Sequence, residues 1–437
     1  MAQKTKGKSQ QEIKSFETAQ GDEFGDLLSA GRLFRDKQVD LVILAYRAYV
    51  PDMYMHQMLS HLPEDMPLLI LGSQSRDRFE RSDDYCGVLR NSGLMALMQL
   101  VCGFKKIDVK GRHVEAAAGS IYDDELYGKI DRFIKVATIH KRLKTMTIGV
   151  MGNVFRGMFD FEYDKTDLKG ALGPEVMHIQ IDHLAEMVAK TPLSDPEVKK
   201  TVKKARSAYT VQGVGATDLT RAARVAVAVR RLVKRFRVDG LAILGQHFIE
   251  KKLKTTAYLG LSQLQSEGFP CVTEGDVVGM IMMKILHHFT GNMAYLLEWS
   301  EFDVKENAWM LLGHGFGDPT QARNGDVKLT PSAEQWGLQG TGCSTLFVPE
   351  PGPCTIGHFV HHSDKWRMIV CGGELLDTEP LPINDVHAFV RFDRPIKEHA
   401  EMLLKAGVPH HGMTVRGDCR QELRQLAEMM RMEVIEI

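Results

Sequence analysis

Residues 268–317 read GFPCVTEGDVVGMIMMKILHHFTGNMAYLLEWSEFDVKENAWMLLGHGFG. The run FPCVTE is short and apolar and closes on Glu274, as a buried strand would. Gly275-Asp276 then opens about fifteen residues in which Val277, Met280, Ile281 and the segment from Lys284 to His288 recur at helical spacing. Thr290-Gly291-Asn292 ends that helix, and AYLLEW forms a second apolar run ending at Glu298. Strand, helix and strand of these lengths predict a right-handed crossover between parallel neighbours of one sheet. Glu274 and Glu298 would then emerge together at the carboxyl edge, where open α/β sheets hold their ligands.

Two carboxylates at one edge repel unless a cation lies between them or one keeps its proton. His314, in LLGHGFGD, is a candidate third ligand, and His410-His411, after a glycine that would cap a helix, lie on a loop that could reach the same edge. Oxygen donors with one or two imidazoles suit Mn²⁺ or Mg²⁺ better than zinc, since no thiolate is required. The plain alternative is that each Glu is a solvated strand end or a helix-capping carboxylate. Most histidines must in any case be structural or exposed, because the chain has 17 of them.

Working outward, the chain has 437 residues, 44% of them hydrophobic, enough for two or three domains with their own cores. Its 55 basic and 56 acidic side chains give a net charge of −1, which argues against a dedicated nucleic-acid binder. The helical stretch TRAARVAVAVRRLVKRFR (220–237) has a basic outer face, but such a face is ordinarily a solvated one. The seven cysteines are odd in number and lack any CxxC pair, as in a reduced, cytoplasmic protein. No apolar run reaches the ~18 residues of a membrane span, and no signal peptide is visible at the N-terminus, so no membrane partner is expected.

Residues 1–25, polar and lysine-rich, are expected to form an arm or an entry helix. Between 26 and 143, alternating helical and strand patterns (GDLLSAGRLFRD, VDLVILAY, MYMHQMLSHL, MPLLILG, SGLMALMQLVCGF) predict an N-terminal α/β domain. The charged excursion 74–84 follows a strand end and suits a loop or a contact with a neighbouring subunit. A second α/β domain, 144–300, starts at TMTIGVMG and would carry the first acidic residues. Its loop GNVFRGMFDFEYD (152–164) contains Arg156, Met158 and Asp160, and its later strand DGLAILGQ ends at Gln246 and His247. With His410, these six are the candidate substrate contacts. From 301 to 437, frequent Gly and Pro with short β runs predict an antiparallel barrel, followed by a terminal helix and strand. The fold class is thus α/β, with two Rossmann-like doubly wound parallel-sheet domains and a C-terminal antiparallel β-barrel.

Four segments carry a resemblance: RGMFDF (156–161), CVTEGD (271–276), the stretch from Glu298-Trp299 to LLGHG, and AGVPHHGMTVRGDCRQELRQLAEMMRMEVIEI (406–437). From about Thr145 onward the sequence resembles the superfamily of L-fucose and L-arabinose isomerases, metal-dependent aldose–ketose isomerases. The resemblance implies Glu274, Glu298, His314 and His411 as metal ligands, with Mn²⁺ first and Mg²⁺ or Co²⁺ as alternatives. Glu301 or Asp303 would replace Glu298 if a gap falls between them. Glu274 and Glu298 would also move a proton between C2 and C1 of a sugar through an ene-diol. It implies further a homo-oligomer (trimer, tetramer or hexamer) with sites near subunit contacts. A non-catalytic sugar-binding or regulatory protein, or another metal-dependent carbonyl reaction such as aldol cleavage or epimerisation, would use the same scaffold. The sugar stays open among pentose, 6-deoxyhexose, hexose and acid-modified sugar.

Overall fold

A computed structural model of the chain describes residues 24–46, 49–89, 91–107, 112–334, 338–363 and 365–437. The polar arm expected over 1–25 lies outside them up to residue 23. The chain divides after Lys141 into two compact units.

In the first unit, strands β1 (Val42–Ala45), β2 (Leu68–Gln74) and β3 (Val114–Ser120) pair in parallel in the order β1-β2-β3. From their buried run Leu68–Leu71, Leu68 and Ile70 share one core with Leu97 and Leu100 of the helix Gly93–Lys106. In the charged excursion after β2, Arg76 and Asp83 form an ion pair.

The second unit holds three sheets. Strands β4 (Thr147–Met151), β5 (Glu175–Ile179), β6 (Thr210–Val211), β7 (Gly240–Ile243) and β8 (Cys271–Val272) come first along the chain. Four of them form a parallel sheet in the order β5-β4-β7-β8. The helix Ala216–Phe236 lays Val225, Val229 and Leu232 on this core; its Lys234 and Arg235 are exposed, while half-buried Arg224 donates to Val188 O and Thr191 O. Then follow β9 (Tyr295–Asp303), β10 (Ala308–Leu312), β11 (Lys328–Thr330), β12 (Ser344–Leu346), β13 (Gly352–His362), β14 (Lys365–Leu375), β15 (His387–Arg391), β16 (His411–Arg416) and β17 (Glu433–Glu436). Seven of these build a mixed sheet in the order β13-β16-β9-β10-β15-β14-β17, in which β14 pairs with β13 as well as with β15. Only the β14–β17 pairing in it is parallel. The short strands β12, β11 and β6 make the third sheet.

The expected crossover is corrected in one respect. β8 and β9, on either side of the helix Val277–Thr290, belong to different sheets: β8 ends the parallel sheet, while β9 pairs antiparallel with β10 and β16. The reason lies in the helix. Every residue from Val277 to Leu286 except Lys284 is buried. A helix apolar all round must be covered on all sides. This one packs on β7 and β8 with one face and on β13 and β16 with another. Glycines allow the close fit, since a Cβ on Gly357 of β13 would stand 2.9 Å from Met282 Sδ and one on Gly240 of β7 would meet Met280 Sδ at 2.2 Å. The helix therefore joins two sheets, and its two ends deliver residues from both to one place. Among the described residues no helix is long and apolar enough to cross a membrane, and all seven cysteines are free.

Candidate functional site

Glu274 follows β8 in a left-handed conformation, with φ of 60°, which costs a non-glycine residue about 1–2 kcal/mol. Its neighbours hold it there. Glu274 O accepts from Phe155 N at 3.0 Å, and Gly275 is pressed so close to the 152–164 loop that a Cβ would lie 2.3 Å from Asn153 O. Such strain, sustained by its surroundings, is typical of functional positions. Two residues on, Asp276 caps the helix by accepting from Gly279 N at 2.7 Å.

Glu298 arrives on β9, directly opposite His411 on β16 and Leu312 on β10. This register brings the two chain-distant residues together. His411 Nε2 lies 3.4 Å from Glu274 Oε2 and 3.8 Å from Glu298 Oε1, and His410 Nε2 lies 4.0 Å from Glu298 Oε1. One ligand atom from each of Glu274, Glu298, His410 and His411 falls within 4.8 Å of all the others. His314, on the turn after β10, has Nε2 2.8 Å from Glu298 Oε1 and 4.0 Å from Glu274 Oε1.

The donor set fits a divalent cation. Glu274 Oε2, His314 Nε2 and His411 Nε2 are buried polar atoms without a hydrogen-bond partner. Each such orphan costs about 1–3 kcal/mol, and Glu274 Oε2 and His411 Nε2, which face each other at 3.4 Å, are explained by a shared partner. Two carboxylates with imidazoles are a borderline-hard set. The field of the cluster is negative: burial alone would raise Glu298 and lower His314 and His411. The carboxylate–imidazole contacts outweigh it, so Glu298 sits well below the usual carboxylate range and both histidines above theirs.

Behind each of the paired histidines stands a carboxylate. Asp276 Oδ2 accepts from His411 Nδ1 at 2.9 Å, which leaves His411 Nε2 facing the glutamates. Burial would push Asp276 up, but His358 and His411 hold it far below the usual range. Asp160 Oδ2 lies 2.6 Å from His410 Nδ1 and accepts from His410 N at 3.1 Å. Phe161 stacks on His411 with ring centroids 4.8 Å apart and 14° between planes.

The remaining sequence candidates are placed as follows. Asp160 serves His410. Arg156 is exposed, and Met158 is half-buried in a turn that bonds back to Phe155. Gln246 is half-buried and hydrogen-bonds Thr273, beside Glu274. His247 is exposed. Glu301 and Asp303 lie on the exposed end of β9. The sequence reading took Asp276 only as the opener of a helix and overlooked His358 and Phe161. The signal for Asp276 was the spacing in EGD, which sets a second carboxylate two residues from Glu274. His358 carried none, and Phe161 only its place in RGMFDF.

No protein-family model matches the chain. Among curated proteins, sulfoquinovose isomerases of Priestia aryabhattai and Priestia megaterium are each 25% identical over 349 residues, covering 78% of this chain and 76% of theirs. The L-arabinose isomerase of Aeromonas hydrophila is 21% identical over 331 residues, covering 73% of this chain and 66% of its own. At this low identity the chain is similar to sugar isomerases.

Proposed function

We propose that the chain is a metal-dependent aldose–ketose isomerase whose centre is the cluster of Glu274, Glu298, His410 and His411, with His314 at its edge. Likeness to sulfoquinovose and L-arabinose isomerases supports an aldose–ketose isomerase enzyme acting on a sugar. The observation that carries the location is the convergence of two carboxylates and two imidazoles within 4.8 Å at a partly buried edge.

The two glutamates and His411 would hold the cation through oxygen and Nε2, His410 and His314 completing the set, and Mn²⁺ suits it best, with Mg²⁺ or Co²⁺ as alternatives. When bound, such a cation polarises a carbonyl and lowers the barrier to removing the neighbouring proton. The chain's own residues supply the rest. Each carboxylate can ligate through one oxygen and keep the other for proton transfer. Glu274 is the more buried of the two, with its side chain 11% exposed against 24% for Glu298. One takes the proton from C2 of the aldose while the other gives a proton to O1, which forms the ene-diol; a proton then returns to C1 as the O2 proton is taken up, which gives the ketose, and the roles exchange in the reverse direction. Asp276 and Asp160 hold His411 and His410 by Nδ1, so that both rings present Nε2 to the cluster. Arg156, Met158, Gln246 and His247 are read as contacts for the rest of the sugar.

By the same likeness we read the chain as a homo-oligomer, which a solution mass measurement decides. The return pairing of β14 with β13 we read as the expected barrel. The test of function is to load the purified chain with Mn²⁺ and follow product formation by NMR from a panel of aldoses and ketoses, beginning with sulfoquinovose and L-arabinose. Conversion that requires the metal supports the reading. Metal-independent sugar binding without conversion would replace it with a binding protein on the same scaffold.

A further inference from the structure

One oxygen behind the cluster has two clients. Asp276 Oδ2 accepts from His411 Nδ1 at 2.9 Å and lies 3.1 Å from His358 Nε2. All three residues are sealed from water, with exposures of 0% for Asp276 and 1% for each imidazole. His358 is anchored again at its other end, where Nδ1 lies 2.6 Å from Phe359 O. An ionised carboxylate only accepts, so Nε2 is the nitrogen that donates, to Asp276. The ring thus spans a fixed point on β13 and the carboxylate at the head of the helix Val277–Thr290. Asp276 Oδ1 is already committed to Gly279 N at 2.7 Å, so removing His358 would leave Oδ2 with one donor in a dry site. A half-satisfied buried network then reorganises or draws in water, and either outcome changes the direction of the remaining bond to His411.

We propose that His358 is a positioning residue for the metal centre: by donating to Asp276 it fixes the carboxylate that holds His411 Nδ1, and so aims His411 Nε2 at Glu274 and Glu298. The proposal rests on the reading of that cluster as a divalent-cation site. It places a residue 82 positions from Asp276 in the metal's surroundings without any contact to the metal or the sugar.

A second buried imidazole of the same unit provides the control. His399 is also 1% exposed, but its hydrogen-bonding neighbours are Trp309 Nε1 at 3.1 Å and Cys371 Sγ at 3.4 Å, neither of which belongs to the cluster. The experiment is calorimetric titration of Mn²⁺ into the full-length chain and into His358→Leu, His358→Asn, His358→Gln and His399→Gln, with the thermal midpoint of each metal-free protein recorded alongside. His358→Leu should bind Mn²⁺ about 10–100-fold more weakly than wild type. His358→Gln retains an N–H long enough to reach Asp276 and should recover most of the loss. His358→Asn, which is shorter, should not, and this pair carries the test if the leucine variant fails to fold. His399→Gln should lower the midpoint and leave the affinity unchanged. Wild-type affinity in His358→Leu or His358→Asn, or an equal loss in the Gln and Asn variants, overturns the proposal. A wild-type chain that binds no Mn²⁺ overturns the reading of the cluster itself, and the proposal with it.

Discussion

His411 and His399 are equally buried imidazoles of one unit, and their surroundings give them opposite characters. His411 faces Asp276, Glu274 and Glu298, which hold it above its ordinary protonation range against the effect of burial. His399 is stacked on Phe392 at 3.9 Å, bonded by Trp309 and near the Cys371 thiol, and burial with a contribution from Arg394 brings it down to about 4. Burial alone says nothing about function. What separates a chemical site from a packed core is whether ionisable partners of opposite sign are buried with the ring and left with unmatched atoms, as Glu274 Oε2 and His411 Nε2 are.

The sharpest way to break this contrast is Glu274→Gln. Turnover should fall by about 10²–10⁴-fold, the range for loss of a positioned acid or base, while the thermal midpoint holds. Cys371→Ala, in the other neighbourhood, should leave kcat close to wild type. Next comes Asp276→Asn, which replaces a charged acceptor with an amide and should weaken Mn²⁺ binding about 10–100-fold in a calorimetric titration. Third, Mn²⁺ at a hundred times its Kd should raise unfolding stability by about 2.7 kcal/mol in wild type. In Glu274→Gln the gain should be reduced or absent, as a denaturant titration with and without chelator would show.

The smallest effect belongs to His399. Its folded value near 4 lies below the ordinary 6.5, so the unfolded chain takes up the proton first. The stability it contributes is present above pH 6.5 and is lost as pH falls through that value towards 4. His399→Phe should lower the midpoint at neutral pH, because Trp309 Nε1 loses its acceptor, and should flatten the midpoint's decline over that interval. An unchanged slope would remove His399 from the account.

The contrast also explains what could be read from the sequence. Glu274 and Glu298 stood out because each closes an apolar run, and His410-His411 because they follow a glycine helix stop; the structure brings all four together. The error about β8 and β9 came from reading VVGMIMMKIL for its period alone. Its apolar residues continue round the helix, which signals cover on several sides, and that is how one helix serves two sheets. Asp276 looked like a cap, which it is, and a cap's second oxygen leaves no local trace. Its partners His358 and His411 are 82 and 135 residues away, and such distances are set by sheet register, not by any spacing. His399 illustrates the converse: in IKEHAEMLL it differs in nothing local from a surface histidine, and only tertiary packing makes it core.

The most direct test of the central claim is the fate of the C2 hydrogen. The Mn²⁺-loaded chain, incubated in D₂O with the sugar it converts, should place deuterium at C1 or C2 of the product, and Glu274→Gln should suppress conversion and exchange together. Metal-dependent conversion with the original hydrogen carried wholly from C2 to C1, or wild-type exchange in Glu274→Gln, would contradict proton transfer by these carboxylates.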